Sequence, residues 1–265
     1  MIECKELGQS FKNKAELFKS LKEHETDLIN IKRKTIYKSC DKGLGLNYKP
    51  SLIKTTTANK SELDDAFHYI AVNTTNVLDS HNDLHVKGIW NRTAKSQQNK
   101  NYLVADHDLK LKSVIAKPQD IEMKVMNVSF KSIGKDIEGE TEALVYVIAK
   151  DKINTEFKEY LDNDIQASVR MQYVKIDLAL NSEEKEDKEY KALFDANYNN
   201  IANKEDFEDI THFWVVSEAK NVNESSLVLF GSNSATGLII EPLKNIQSKI
   251  EPSNDTQKRN RNNFY

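Results

Sequence analysis

Two short segments carry side chains that together could make a nucleophile: Asp106-His107-Asp108 and Ala167-Ser168-Val169. A serine hydroxyl attacks poorly at neutral pH. It needs an imidazole to take its proton and a third group to orient that imidazole. His107 follows the apolar Tyr102-Leu103-Val104, which predicts a strand end or loop rim. Ser168 opens a strand-like run. Alternation along that run sets Val169, Met171 and Tyr173 on one face and Ser168, Arg170 and Gln172 on the other,. The serine therefore shares a polar, groove-like face with a cation and an amide. After Tyr173 the apolar positions shift to Val174, Ile176, Leu178 and Leu180. That shift predicts a bulge or a crossing between layers.

Other chemistries find less support. Eight glycines leave little room for a phosphate-cradling loop, and there is no Walker A loop, dinucleotide fingerprint or His-Glu-x-x-His motif,. Of the six histidines, His81 and His85 stand four apart, but Asn82, Asp83 and Gly88 around them predict a turn, not a ligating helix face,. The two cysteines, Cys4 and Cys40, make neither a disulfide framework nor a zinc motif,. No metal or other cofactor is expected.

The elements that must position these residues follow from the pattern. Phe11, Ala15, Phe18 and Leu21 predict a helix within 10–38, with Ser10 as N-cap and Leu28 and Ile31 extending the stripe less regularly,. Gly43, Gly45, Pro50 and a threonine run predict a linker over 41–62,. From about 64 the texture is strand-like at 67–72, 121–130, 143–148, 168–180, 213–216 and 226–230,. One short helical pattern, Ile153, Phe157, Tyr160 and Leu161, intervenes, with a turn at Asn163-Asp164. Many strands and few helices between them predict an α+β, β-rich, mainly antiparallel domain with peripheral helices. A charge run followed by Tyr190, Leu193, Phe194 and Tyr198 predicts a charged helical insertion over 182–209,. The polar end predicts a flexible tail over 242–265. The expected organisation is an N-terminal helical extension and linker (1–60), a main domain (61–241) and that tail.

Bulk properties narrow the partners. A net charge of −3 argues against a dedicated nucleic-acid binder,. No apolar stretch approaches a membrane span, and the first residues lack a secretory pattern, so a non-secreted protein without a membrane partner is expected,.

Four stretches, in order, carry a family likeness. The first holds Asp79, Asp83, Gly88 and Trp90; the second is Ala105-Asp106-His107-Asp108. The third is Ala167-Ser168-Val169-Arg170-Met171-Gln172-Tyr173-Val174. The fourth runs from Trp214-Val215-Val216-Ser217-Glu218-Ala219-Lys220 through Glu224, Ser226 and Val228 to Gly231-Ser232-Asn233. Over 64–240 the chain resembles the prohead (capsid maturation) serine proteases of tailed bacteriophages, whose fold is similar to that of the herpesvirus assemblins. Arg170 stands where many members have glycine, and the 182–209 insertion lengthens the stretch between Ser168 and Glu224.

The resemblance implies a barrel-like serine endopeptidase domain. Ser168 would attack a peptide carbonyl, and His107 would act as general base and then as acid. Glu224 would orient the imidazole, with Glu218 and His212 as alternatives. Backbone N–H near Arg170, helped by its guanidinium, would form the oxyanion hole. The implied setting is the assembling procapsid in the host cytoplasm. The implied substrates are the scaffold protein, the major capsid protein and the enzyme itself, with a homodimer possible. The N-terminal helix would recruit the enzyme to scaffold helices and be dispensable for peptide cleavage. The alternative is a catalytically inactive scaffold or capsid-assembly protein with a protease-like fold.

Overall fold

The computed structural model describes residues 1–34, 63–162 and 165–240. The expected linker (41–62), the turn at 163–164, the tail (242–265) and Cys40 lie outside the described residues.

The chain starts with a small hairpin, β1 (Ile2–Cys4) and β2 (Gln9–Phe11), followed by two helices, α1 (Lys14–Glu23) and α2 (Glu25–Lys34). Then come β3 (Phe67–Thr74), β4 (Asp83–His85), α3 (Asn91–Ser96), β5 (Tyr102–Ala105) and β6 (Val114–Ala116). β7 (Ile121–Ser129), β8 (Glu140–Ala149), β9 (Gln166–Leu180), α4 (Lys188–Tyr198), β10 (His212–Val228) and β11 (Gly237–Leu238) complete the order.

The fold is α+β. One sheet has the order β11-β3-β8-β7. The other centres on β10, which pairs with β9 along one edge and with β4 and then β5 along the other, and β6 adds to β5. Pairing is antiparallel except that β4 and β5 run parallel to β10. Neither sheet closes on itself, so the barrel that the resemblance implied is an open pair of sheets.

Period-two alternation explains how the layers stack. In β8, Leu144, Tyr146 and Ile148 enter the main core, while Ala143, Val145 and Val147 enter a second cluster on the opposite face with Phe130 and Ile133,. In β10, Trp214 and Val216 face the main core, and Phe213 and Val215 pack under α4 against Phe194. The charged insertion is thus a lid over an apolar sheet face, with the Phe194 and Phe213 rings 5.0 Å apart. The expected irregularity in β9 is present. Lys175 pairs with Glu218 but Tyr173 already pairs with Ala219, so Val174 is the extra residue. A one-residue insertion flips the alternation. Both Tyr173 and Ile176 therefore reach the same core.

The N-terminus differs from the expected extension. Asn13, not Ser10, caps α1, its Oδ1 accepting the Glu16 N–H at 2.9 Å. The helical pattern breaks at His24. Leu17, Phe18, Leu21 and Leu28 belong to the main core. Lys32 is buried and reaches Asp83 at 2.5 Å. This much buried apolar surface makes residues 1–34 part of the domain, at odds with a recruitment arm dispensable for cleavage.

Candidate active site

The register of β10 assembles the site. Ser226 pairs with Ser168 of β9 on one side and with Val104 of β5 on the other. Directly opposed residues of an antiparallel ladder point to the same face, with Cβ atoms about 5 Å apart. Ser168 and Ser226 thus share a face, and Glu224, two residues before Ser226, shares it too. The opposite face of β9 carries Val169 and Met171 into the main core.

His107 arrives at this face through a turn just beyond β5. Asp106 and His107 have φ of 50° and 53°, and the Asp108 N–H bonds to the Ala105 carbonyl at 2.9 Å. Positive φ at both central positions with that closing bond is the pattern of a type I′ turn, which favours Gly or Asn. Two non-glycine residues there store strain of about 1–3 kcal/mol each, of the kind that collects at functional sites. The turn is held down at two points. The Asp106 N–H bonds to the Leu227 carbonyl at 3.0 Å, and the His107 N–H bonds to Ser226 Oγ at 2.8 Å. Ser226 Oγ in turn donates to the Val104 carbonyl at 3.0 Å.

The imidazole then meets Glu224. His107 Nδ1 lies 2.8 Å from Glu224 Oε1, with the glutamate fully buried. A carboxylate at that distance favours the tautomer with the proton on Nδ1. Neither alternative orienting residue reaches His107. Glu218 pairs with Arg92 on an exposed rim, and His212 binds Glu6 and Thr211 at the opposite end of β10. Of the two aspartates beside His107, Asp108 turns to Ser113 at 2.8 Å, and that hydrogen bond, with Lys110, holds its carboxyl below the usual range.

Ser168 and His107 are only 6% and 8% exposed. Ser168 borders a narrow recess with Val72, Asn73, Met171, Ser232 and Asn233. The Gly231-Ser232-Asn233 segment is stitched there. The Gly231 N–H bonds to Gln166 Oε1 at 2.7 Å, and Asn233 Nδ2 donates to the Thr74 carbonyl at 2.9 Å. Thr236 Oγ1 accepts the Ala167 N–H at 3.2 Å, next to the serine.

Arg170 lies on the Ser168 face, opposite an irregularity. The ladder steps from Val169↔Ser225 to Met171↔Asn221, so residues 222–224 bulge out across from Arg170. Asn223 takes a φ of 67° to make that bulge. Arg170 Nε is enclosed without a hydrogen bond among the described residues.

The sequence reading missed Ser226 as a site residue. The available signal was its spacing from Glu224, which puts both on one strand face. His81 and His85 form no ligand pair: His85 Nδ1 meets Asn73 and its Nε2 meets Tyr173. No protein-family model, curated protein or solved structure matches this chain. What can be said of the site therefore rests on its geometry: Ser168 stands across the ladder from Ser226, which holds the His107 turn, and the imidazole meets the buried Glu224 carboxylate.

Proposed function

We propose that this chain is a serine endopeptidase of the prohead-protease type. The observation that carries the reading is the 2.8 Å contact of His107 with buried Glu224, on the same face as Ser168. Ser168 Oγ attacks the peptide carbonyl carbon while His107 takes its proton, and Glu224 stabilises the imidazolium. His107 then protonates the leaving amine, and water repeats the sequence to release the acyl group. The bulge opposite Arg170 supports a backbone N–H there as an oxyanion donor.

The substrates follow from the resemblance: scaffold protein, major capsid protein and the chain itself, cut inside the assembling procapsid. Among the described residues no helix is long and apolar enough to cross a membrane.

The test is intact mass over time for the wild-type chain and Ser168→Ala, each alone and with scaffold protein. Truncation of chain or scaffold in wild type only is the expected result. Identical masses in both, with and without scaffold, and no labelling by a serine-directed fluorophosphonate, would leave the inactive assembly protein as the reading.

A further inference from the structure

His212, set aside as an orienting group, belongs to a second constellation. The small hairpin carries Cys4 at the end of β1 and Glu6 in the following turn up to the start of β10. Cys4 Sγ lies 3.4 Å from Glu6 Oε2, and His212 Nε2 lies 3.3 Å from Glu6 Oε1. All three donor groups fall within 4.8 Å of one another. Cys4 and His212 are buried, and the Glu6 side chain is 8% exposed.

We propose that Cys4, Glu6 and His212 form a binding site for a zinc-class divalent cation that clamps the N-terminal hairpin to β10. Thiolate, imidazole and carboxylate are the donor types such an ion takes. Bond lengths of about 2.0–2.3 Å in a tetrahedron put donors about 3.3–3.8 Å apart; Cys4 and His212 each stand at such a distance from one of the two Glu6 oxygens. A thiolate and a carboxylate neutralise a dication, which suits an enclosed position. The remaining nitrogen of the histidine is already held, with Thr211 Oγ1 3.0 Å from Nδ1, which orients Nε2 inward as ligating histidines require,. Asn82 Nδ2 donates to Glu6 Oε1 at 3.1 Å and steadies the carboxylate. A water completes four-coordination.

Without an ion the three groups are joined by hydrogen bonds, the Cys4 S–H donating to Glu6 Oε2. Burial, then the charge of Glu6, pushes the Cys4 thiol up to about 12, so it is protonated at neutral pH. On metal binding that proton passes to solvent and the S–metal bond replaces the S–H bond. Burial opposes ionisation of Glu6, but the hydrogen bond and charge of His212, with the charge of Lys32, outweigh it and hold the carboxyl below its usual range.

The experiment uses the full chain carrying Ser168→Ala, so that self-cleavage cannot remove the hairpin; the site is independent of the protease reading. The protein is stripped with chelator and titrated with Zn²⁺ by calorimetry and with Co²⁺ by absorption. One ion per chain, a higher Tm and a thiolate-to-Co²⁺ charge-transfer band are expected. Adding Cys4→Ser should abolish that band and weaken Zn²⁺ binding at least about tenfold, and His212→Gln should weaken it similarly. Absence of the charge-transfer band in the parent overturns the site, whether or not the variants fold. Zn²⁺ affinity unchanged in both variants overturns it too.

Discussion

Ser226 stands directly across the β9–β10 ladder from Ser168, and its hydroxyl accepts the His107 N–H at 2.8 Å. One unreactive serine therefore fixes the distance between the proposed nucleophile and the turn that carries its base. Glu224, two residues earlier on the same face, holds the imidazole of the same histidine at 2.8 Å. The backbone and the ring of His107 are both referred to β10, and β10 is paired with the strand that carries Ser168.

Ser226 is a positioning residue, so Ser226→Ala should lower peptide cleavage about 10–100-fold through a misplaced His107. The fold should lose only about 1 kcal/mol. Ser226→Thr keeps a hydroxyl and is expected to restore most of the rate. A rate equally low in both variants would point to packing instead.

Glu224→Gln keeps an acceptor near Nδ1 but removes the charge that stabilises the imidazolium. The expected loss is about 10³–10⁴ in kcat, with KM little changed, by the behaviour of hydrolytic triads generally. Steady-state kinetics on a scaffold-derived peptide measure it. A kcat within tenfold of wild type would remove Glu224 from the mechanism.

Lys32→Met tests whether the N-terminal segment belongs to the domain. Asp83 is fully buried, with Lys32 Nζ at 2.5 Å and the Tyr173 hydroxyl at 2.8 Å as partners. Removing the cation from such a pair costs about 3–5 kcal/mol. Chemical denaturation should show that loss, partly recovered by adding Asp83→Asn. A change under 1 kcal/mol would mean the segment is loosely held.

His85 sets an acid sensitivity. Burial, followed by the charges of Lys32 and His81, holds its imidazole down near 3, against the ordinary 6.5. The folded state therefore keeps His85 neutral where the unfolded chain protonates it. That contribution is fully present above pH 6.5 and is lost as pH falls toward 3. Its slope is about 1.4 kcal/mol per pH unit in that window. Urea midpoints at pH 7, 6, 5 and 4 should fall more steeply for wild type than for His85→Gln. Parallel curves would contradict the assignment.

Gly237 takes a φ of 134°, and a Cβ there would lie 2.6 Å from the Ile165 carbonyl oxygen. Because that oxygen is backbone beside β9, relief requires moving the strand that carries Ser168. Gly237→Ala should cost about 2–4 kcal/mol and lower activity with it. An unchanged Tm would show that β11 yields instead.

Much of this architecture was legible in residue order. The α+β class, β7, β8 and β9 follow from β-branched and aromatic runs, because alternation is a local property that sheet burial imposes on sequence. The shift after Tyr173 announced the bulge at Val174 for the same reason. The Ser168 face was readable, and Glu224 was one of three orienting groups the sequence offered for His107.

Tertiary structure alone decided the rest. The short β4, β5 and β6 have too few residues to show a period; β4 and β5 exist because β10 offers them an edge, and β6 because β5 does. The N-terminal helices look like a free amphipathic arm until Lys32 meets Asp83, since a stripe does not say what covers it. Among three candidate orienting groups, Glu224 is the one that meets His107, because the turn beyond β5 is pinned to Ser226, two residues along the same strand face. Cys4, Glu6 and His212 come together only because the hairpin folds back on β10, and no spacing in the chain encodes that distance.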